Sequence, residues 1–156
     1  MKTTKAKSIL RQKRGMCGPT NLKIAMEPLG VKMPVKTLAK MCGATADGGV
    51  AGERLLATAK KLGLNGFIKD RATIEELRRF LQRGMRVIVS WFSIDEGHYS
   101  VVLGLGRKYI TLTDTEYGKK RKMKIEVFQR VWFDFPGEYI RNPKYLALRS
   151  CLVLHR

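Results

Sequence analysis

The apolar pattern of this chain changes period at Gly84, and that change restricts the folds open to it. Before Gly84, apolar residues recur at helical spacing between glycine and proline breaks; after it come short runs rich in β-branched residues. Helices first and strands afterwards argue against a repeated βαβ chain. They predict an α+β fold in which N-terminal helices pack on a C-terminal antiparallel β-sheet. An apolar fraction of 44% over 156 residues suits one core, so residues 1–156 read as a single domain with a basic N-terminal segment at 1–14.

Leu22, Ile24, Ala25 and Met26 place a first helix from Cys17 to about Glu27, with Pro28 and Gly30 as stops. Pro34 opens a second helix through Leu38, Ala39 and Met41 that Gly43 ends, and Arg54 to Leu62 forms a third. Thr73-Ile74-Glu75-Glu76 has the spacing of a capping box, which starts a fourth helix running from Ile74 to Gln82. Strands are predicted over Met85 to Trp91, Tyr99 to Leu105, Lys108 to Thr113, Arg121 to Glu126 and Leu146 to Leu154, with Val127 to Phe133 as a short helix or turn. Gly104-Leu105-Gly106 lacks the third glycine and following helix of a nucleotide-binding loop and reads as a hairpin turn.

The chemistry lies in three separated places. Cys17-Gly18-Pro19-Thr20-Asn21 sets a thiol at a helix start, where unpaired N–H groups and the macrodipole would lower its pKa. Gly97-His98 opens a strand, and Asp114 follows the next strand, so a hairpin would bring His98 and Asp114 to one edge of the sheet. A thiol, an imidazole base and a carboxylate that orients the base are the parts of nucleophilic acyl transfer, which needs no metal or organic cofactor. Cys42 and Cys151 read as core residues. An odd count of three cysteines without a C-x-x-C pair indicates neither a disulfide framework nor a zinc site.

No apolar run approaches the roughly 18 residues of a membrane span, and the basic start lacks the apolar core of a secretory signal, so the predicted compartment is the cytoplasm. Thirty-one Lys and Arg against 13 Asp and Glu give a net charge of +18, concentrated before Gly15 and over Lys119 to Lys124. Such a balance fits either a solvated basic surface or an anionic partner, be it nucleic acid, anionic lipid or acidic peptide, and the competing class of function is a non-catalytic basic module of the same fold that binds nucleic acid.

At Cys17 to Thr20, Gly97 to Val102 and Asp114, followed by Gly118, Met123, Phe128 and Trp132, the chain resembles the C39 family of papain-like cysteine peptidases over roughly residues 8–135. The best-known members of that family remove double-glycine leaders. The resemblance implies a papain-like fold and hydrolysis of peptide bonds through a thioester. It makes Cys17 the nucleophile, His98 the general base and then acid, Asp114 the orienting group and Gln12 a donor to the oxyanion. Two departures stand out: Gln12 lies five residues before the cysteine, where six is usual, and Thr115 follows Asp114 where proline is usual. The substrate implied is a peptide or protein, and the closeness of Lys119–Lys124 to Asp114 adds the expectation that it is acidic.

Overall fold

Six strands make the frame on which the site is built. The computed structural model describes residues 9–93 and 96–156. Its main sheet contains β1 (Asn65–Lys69), β2 (Arg86–Phe92), β3 (Gly97–Leu105), β4 (Tyr109–Asp114), β5 (Lys119–Lys124) and a last strand, Cys151–His155. These run in the order β1, last strand, β2, β3, β4, β5, every pairing antiparallel. A separate two-stranded ribbon pairs β6 (Phe133–Asp134) with β7 (Ala147–Leu148), so the last strand is β8.

Helices cover both faces. On one, α1 (Cys17–Met26), α2 (Val35–Cys42) and α3 (Gly52–Lys61) bury Leu22, Leu38 and Leu55 against Ile88, Leu152 and Leu154. On the other, α4 (Ile74–Gln82) and α5 (Ile125–Val131) bury Leu77, Phe128 and neighbouring Trp132 against Val87, Val89 and Val153. Alternate residues of β2 and β8 thus enter different cores, which explains why both strands are apolar without interruption. The fold is α+β, as the pattern predicts, and papain-like, as the resemblance implies, with α4 and α5 adding a second helical layer. The capping box closes as expected: the Thr73 hydroxyl accepts from Glu76 N–H, and the Glu76 carboxylate accepts from Thr73 N–H.

The strands differ from the sequence reading in several places, three of which have a clear physical reason. β1 escapes it because Asn65 and Gly66 are weak strand formers. Pairing with β8 holds the strand, and a side chain at Gly66 would meet the Val153 carbonyl at 2.4 Å. β8 begins at Cys151 rather than Leu146 because Arg149 takes a left-handed φ of 49°, which separates β7 from β8. β5 ends at Lys124, so that Ile125 and Glu126 open α5 instead of closing a strand.

Candidate active site

The first turn of α1 meets the start of β3, and this junction is built around Asn21, which is wholly buried. Its Nδ2 donates to the carbonyls of Cys17 and Tyr99, both at 2.8 Å, while its Oδ1 accepts from the Thr113 hydroxyl. One amide side chain therefore ties the helix carrying Cys17 to the strand carrying His98 and to β4. Pro19 sits in the first helical turn, where a missing N–H costs nothing.

Cys17 Sγ lies against the backbone of Tyr99, the residue after His98. It accepts from Tyr99 N–H at 2.9 Å and faces the Tyr99 carbonyl at 3.3 Å. Burial pushes the thiol up to about 12; the hydrogen bond from Tyr99 opposes this, and the carboxylates of Asp134 and Glu96 add to it. The lowered pKa expected at a helix start is thus not realised in the resting state. A first-turn dipole is worth at most about 2 kcal/mol, whereas removing a charge from water costs several. With the thiol raised this far above its ordinary value, it is almost wholly protonated at pH 7. Alkylation of Cys17 by iodoacetamide, quantified peptide by peptide, is expected to be slow at pH 7 in the ligand-free protein and to climb without levelling through pH 9. A plateau below pH 8 would contradict it. Cys42 and Cys151 are buried with thiols also raised by burial, in keeping with their reading as core residues.

Gly97 precedes His98 for a steric reason. A Cβ there would stand 2.0 Å from Asp134 Oδ1, so the carboxylate of β6 occupies the space a side chain would need. Asp134 accepts from the Ser90 hydroxyl at 3.0 Å and from Phe135 N–H at 2.7 Å; desolvation raises its pKa, with these bonds and His98 opposing. Nothing in the local sequence marks Asp134, which reaches the site through the β6–β7 ribbon.

His98 opens onto the same cleft as Cys17, a space of about 1050 Å³ between the helical flank and the sheet. No hydrogen bond joins His98 to Cys17 or to Asp114 among the described residues. Its ring packs at 5.7 Å from that of Trp91, its partner across β2, and its Nε2 lies 3.9 Å from Glu116 and 4.0 Å from Glu96. The register accounts for this. Counting back from Val102↔Leu112 sets Ser100 across from Asp114 and His98 across from Glu116, with Asp114 as a diagonal neighbour. The Asp114 carboxylate instead takes Arg121, at 2.9 Å and 3.1 Å, and the Tyr117 N–H. Arg121 in turn lies over the Trp91 ring at 5.8 Å. Glu96, His98 and Glu116 bring their ligand atoms within 4.8 Å of one another, so a cation seated there would compete for His98 Nε2.

Gln12 also lines the cleft. The turn that brings it there is tight: Met16 N–H donates to the Lys13 carbonyl, and Gly15 has φ +72°, with Ala46 backbone 2.4 Å from where a Cβ would stand. Arg11 packs on Gly118, so part of the first basic cluster adjoins the second at the start of β5; Lys2, Lys5 and Lys7 lie outside the described residues. The cleft itself is differently charged. Its wall carries six carboxylates, Asp47, Glu53, Asp70, Glu96, Glu116 and Asp134, against four cations.

A cysteine at a helix head, packed against a histidine-bearing strand of an antiparallel sheet, is the architecture of papain-like cysteine peptidases. The chain belongs to the Peptidase C39 family, whose family model matches residues 5–135. It is 32% identical to an uncharacterized protein of Methanothermobacter marburgensis over 130 residues, 80% of this chain and 82% of that one. Its fold resembles a double glycine motif protease from an AMS/PCAT transporter, solved with the leader peptide (TM-score 0.70, 21% identity, 95% of this chain and 89% of the other). It also resembles the peptidase domain of Streptococcus ComA, a bifunctional ABC transporter involved in quorum sensing (TM-score 0.69, 18% identity, 96% and 98% covered). No helix among the described residues is long and apolar enough to cross a membrane.

Proposed function

We propose that this protein hydrolyses peptide bonds through a Cys17 thioester, with His98 as general base and then acid. The observation that carries the reading is the opening of the Cys17 thiol and the His98 ring onto one cleft, in a chain of the C39 family. In the resting state the thiol is protonated and held by Tyr99. A substrate carbonyl entering above Sγ displaces it from the Tyr99 oxygen toward the imidazole. His98 takes the proton as sulfur attacks and returns it to the departing amine. Water activated by the same ring then cleaves the thioester. With Nε2 turned to Glu116 and Glu96, Nδ1 is the nitrogen left to face the thiol.

Asp114 supports His98 through intermediaries in this reading: it fixes Arg121, which caps Trp91, whose ring backs the imidazole. Gln12 Nε2 and the backbone N–H of Cys17 stabilise the oxyanion. The leader-binding neighbour supports an extended peptide as substrate. The carboxylate-rich wall weighs against an acidic one, because it would repel anionic side chains next to the scissile bond. The test is a mixed peptide library followed by mass spectrometry, with acid quenching to trap an acyl adduct on Cys17. Products together with a Cys17-linked acyl mass are expected. Neither product nor adduct from a library spanning all charges would overturn the reading.

A further inference from the structure

The two places where the sequence departs from its family pattern touch each other. Thr115 Oγ1 donates to Gln12 Oε1 at 2.6 Å, and Gln12 N–H donates to the Thr115 carbonyl at 2.7 Å. A proline at 115 has no hydroxyl to offer, whereas threonine holds the glutamine by both backbone and side chain. Thr115 is itself buried and receives Asn21 Nδ2 at 3.3 Å.

The polarity of this network follows from backbone groups, whose donors and acceptors are not interchangeable. The Cys17 and Tyr99 carbonyls only accept, so the Asn21 atom facing them is the nitrogen. Val101 N–H only donates, at 2.8 Å to Thr113 Oγ1, so the Thr113 proton goes to Asn21 Oδ1, which agrees. The Asn21 nitrogen cannot accept, so the Thr115 proton does not go to it, and the hydroxyl donates to Gln12 Oε1. With its oxygen on the Thr115 hydroxyl, Gln12 turns its NH₂ away from Thr115. Gln12 lines the cleft that holds Cys17.

We propose that Thr115 is a positioning residue that fixes the flip of the Gln12 amide so that its NH₂, rather than its oxygen, serves the oxyanion; the proposal rests on the peptidase reading above. An amide free to flip would offer the developing negative charge an oxygen half of the time, and would have to be ordered at each turnover. The Gln12–Thr115 pair is therefore one functional unit.

The experiment compares Thr115→Val, Thr115→Ser and Gln12→Ala in the full chain, singly and, for valine, with Gln12→Ala. Thr115→Val is expected to lower kcat about tenfold with KM little changed. Thr115→Ser restores it, and Gln12→Ala costs about 10². In the Gln12→Ala background, Thr115→Val adds nothing further. An unchanged kcat in Thr115→Val, an equal loss in both backgrounds, or an effect confined to KM would each overturn the proposal. The second readout needs no turnover. The Gln12 side-chain NH₂ resonances are expected to keep their position in Thr115→Ser and to move toward those of a free amide in Thr115→Val; resonances insensitive to valine would also overturn it. If no peptide is cleaved by any protein yet the resonances behave as stated, the peptidase reading fails and the positioning of Gln12 stands.

Discussion

Replacing Cys17 by alanine is expected to reduce peptide cleavage by about 10⁴, leaving a residual rate above the buffer from substrate binding and the oxyanion donors. His98→Ala is expected to lose about as much, because a thiol held at about 12 has almost no reactive form without a base to take its proton. The decisive comparison is the double variant. If sulfur and imidazole act as one unit, Cys17→Ala/His98→Ala is no slower than Cys17→Ala alone. Progress curves on a cleaved library peptide measure this, with thermal melts alongside. Neither change should lower Tm by more than a few degrees, since Cys17 is half-buried and His98 fills no core position. Losses that multiply would mean that the two side chains do not share a step, and the assignment of nucleophile and base would fall.

The parts of the site that depend on local chemistry were legible in the sequence. A cysteine before Gly18-Pro19 reads as a helix head because proline tolerates the first turn. Gly97-His98 reads as a strand entrance because β-branched residues follow. Both stand where the pattern puts them. What long-range packing decides was not legible. Gly97 is needed because of Asp134, which lies far along the chain in a two-residue strand with no periodicity of its own. The hairpin does bring Asp114 near His98. Yet the side chain turns to Arg121 from the next strand, a choice that depends on the register of three strands at once. The thiol's resting state depends likewise on burial under Tyr99, a tertiary effect that outweighs the local dipole. Thr115 and Gln12 looked like two independent departures because the contact joining them spans most of the domain.

Asn21→Ala is expected to be the most destabilising single change at the site. The side chain is wholly buried and satisfies the Tyr99 carbonyl, the Cys17 carbonyl and the Thr113 hydroxyl; truncation leaves the Thr113 proton without its acceptor and the Tyr99 oxygen with only the weak donor of the Cys17 thiol. At about 1–3 kcal/mol for each unsatisfied buried group, partly relieved by relaxation, the loss is about 2–4 kcal/mol, or about 5–15 °C in Tm for a chain of this length. Activity should fall as well. Below the melt, kcat is expected to drop by about tenfold or more because the α1–β3 junction loosens and Thr115 loses the donor that polarises it. Asn21→Asp separates the two effects. Its carboxylate would face two carbonyl oxygens in place of the donor they need, so the folded state favours the protonated acid and raises its pKa above the unfolded value. The sign follows: the neutral form is tolerated near and below about pH 4, and the destabilisation grows as pH rises above that reference. Urea melts of the two variants from pH 4 to 7.5 should therefore diverge, with Asn21→Ala keeping a constant offset from the parent and Asn21→Asp falling away with rising pH. Parallel curves would show that the Asn21 nitrogen is not the donor that holds the helix of Cys17 to the strand of His98.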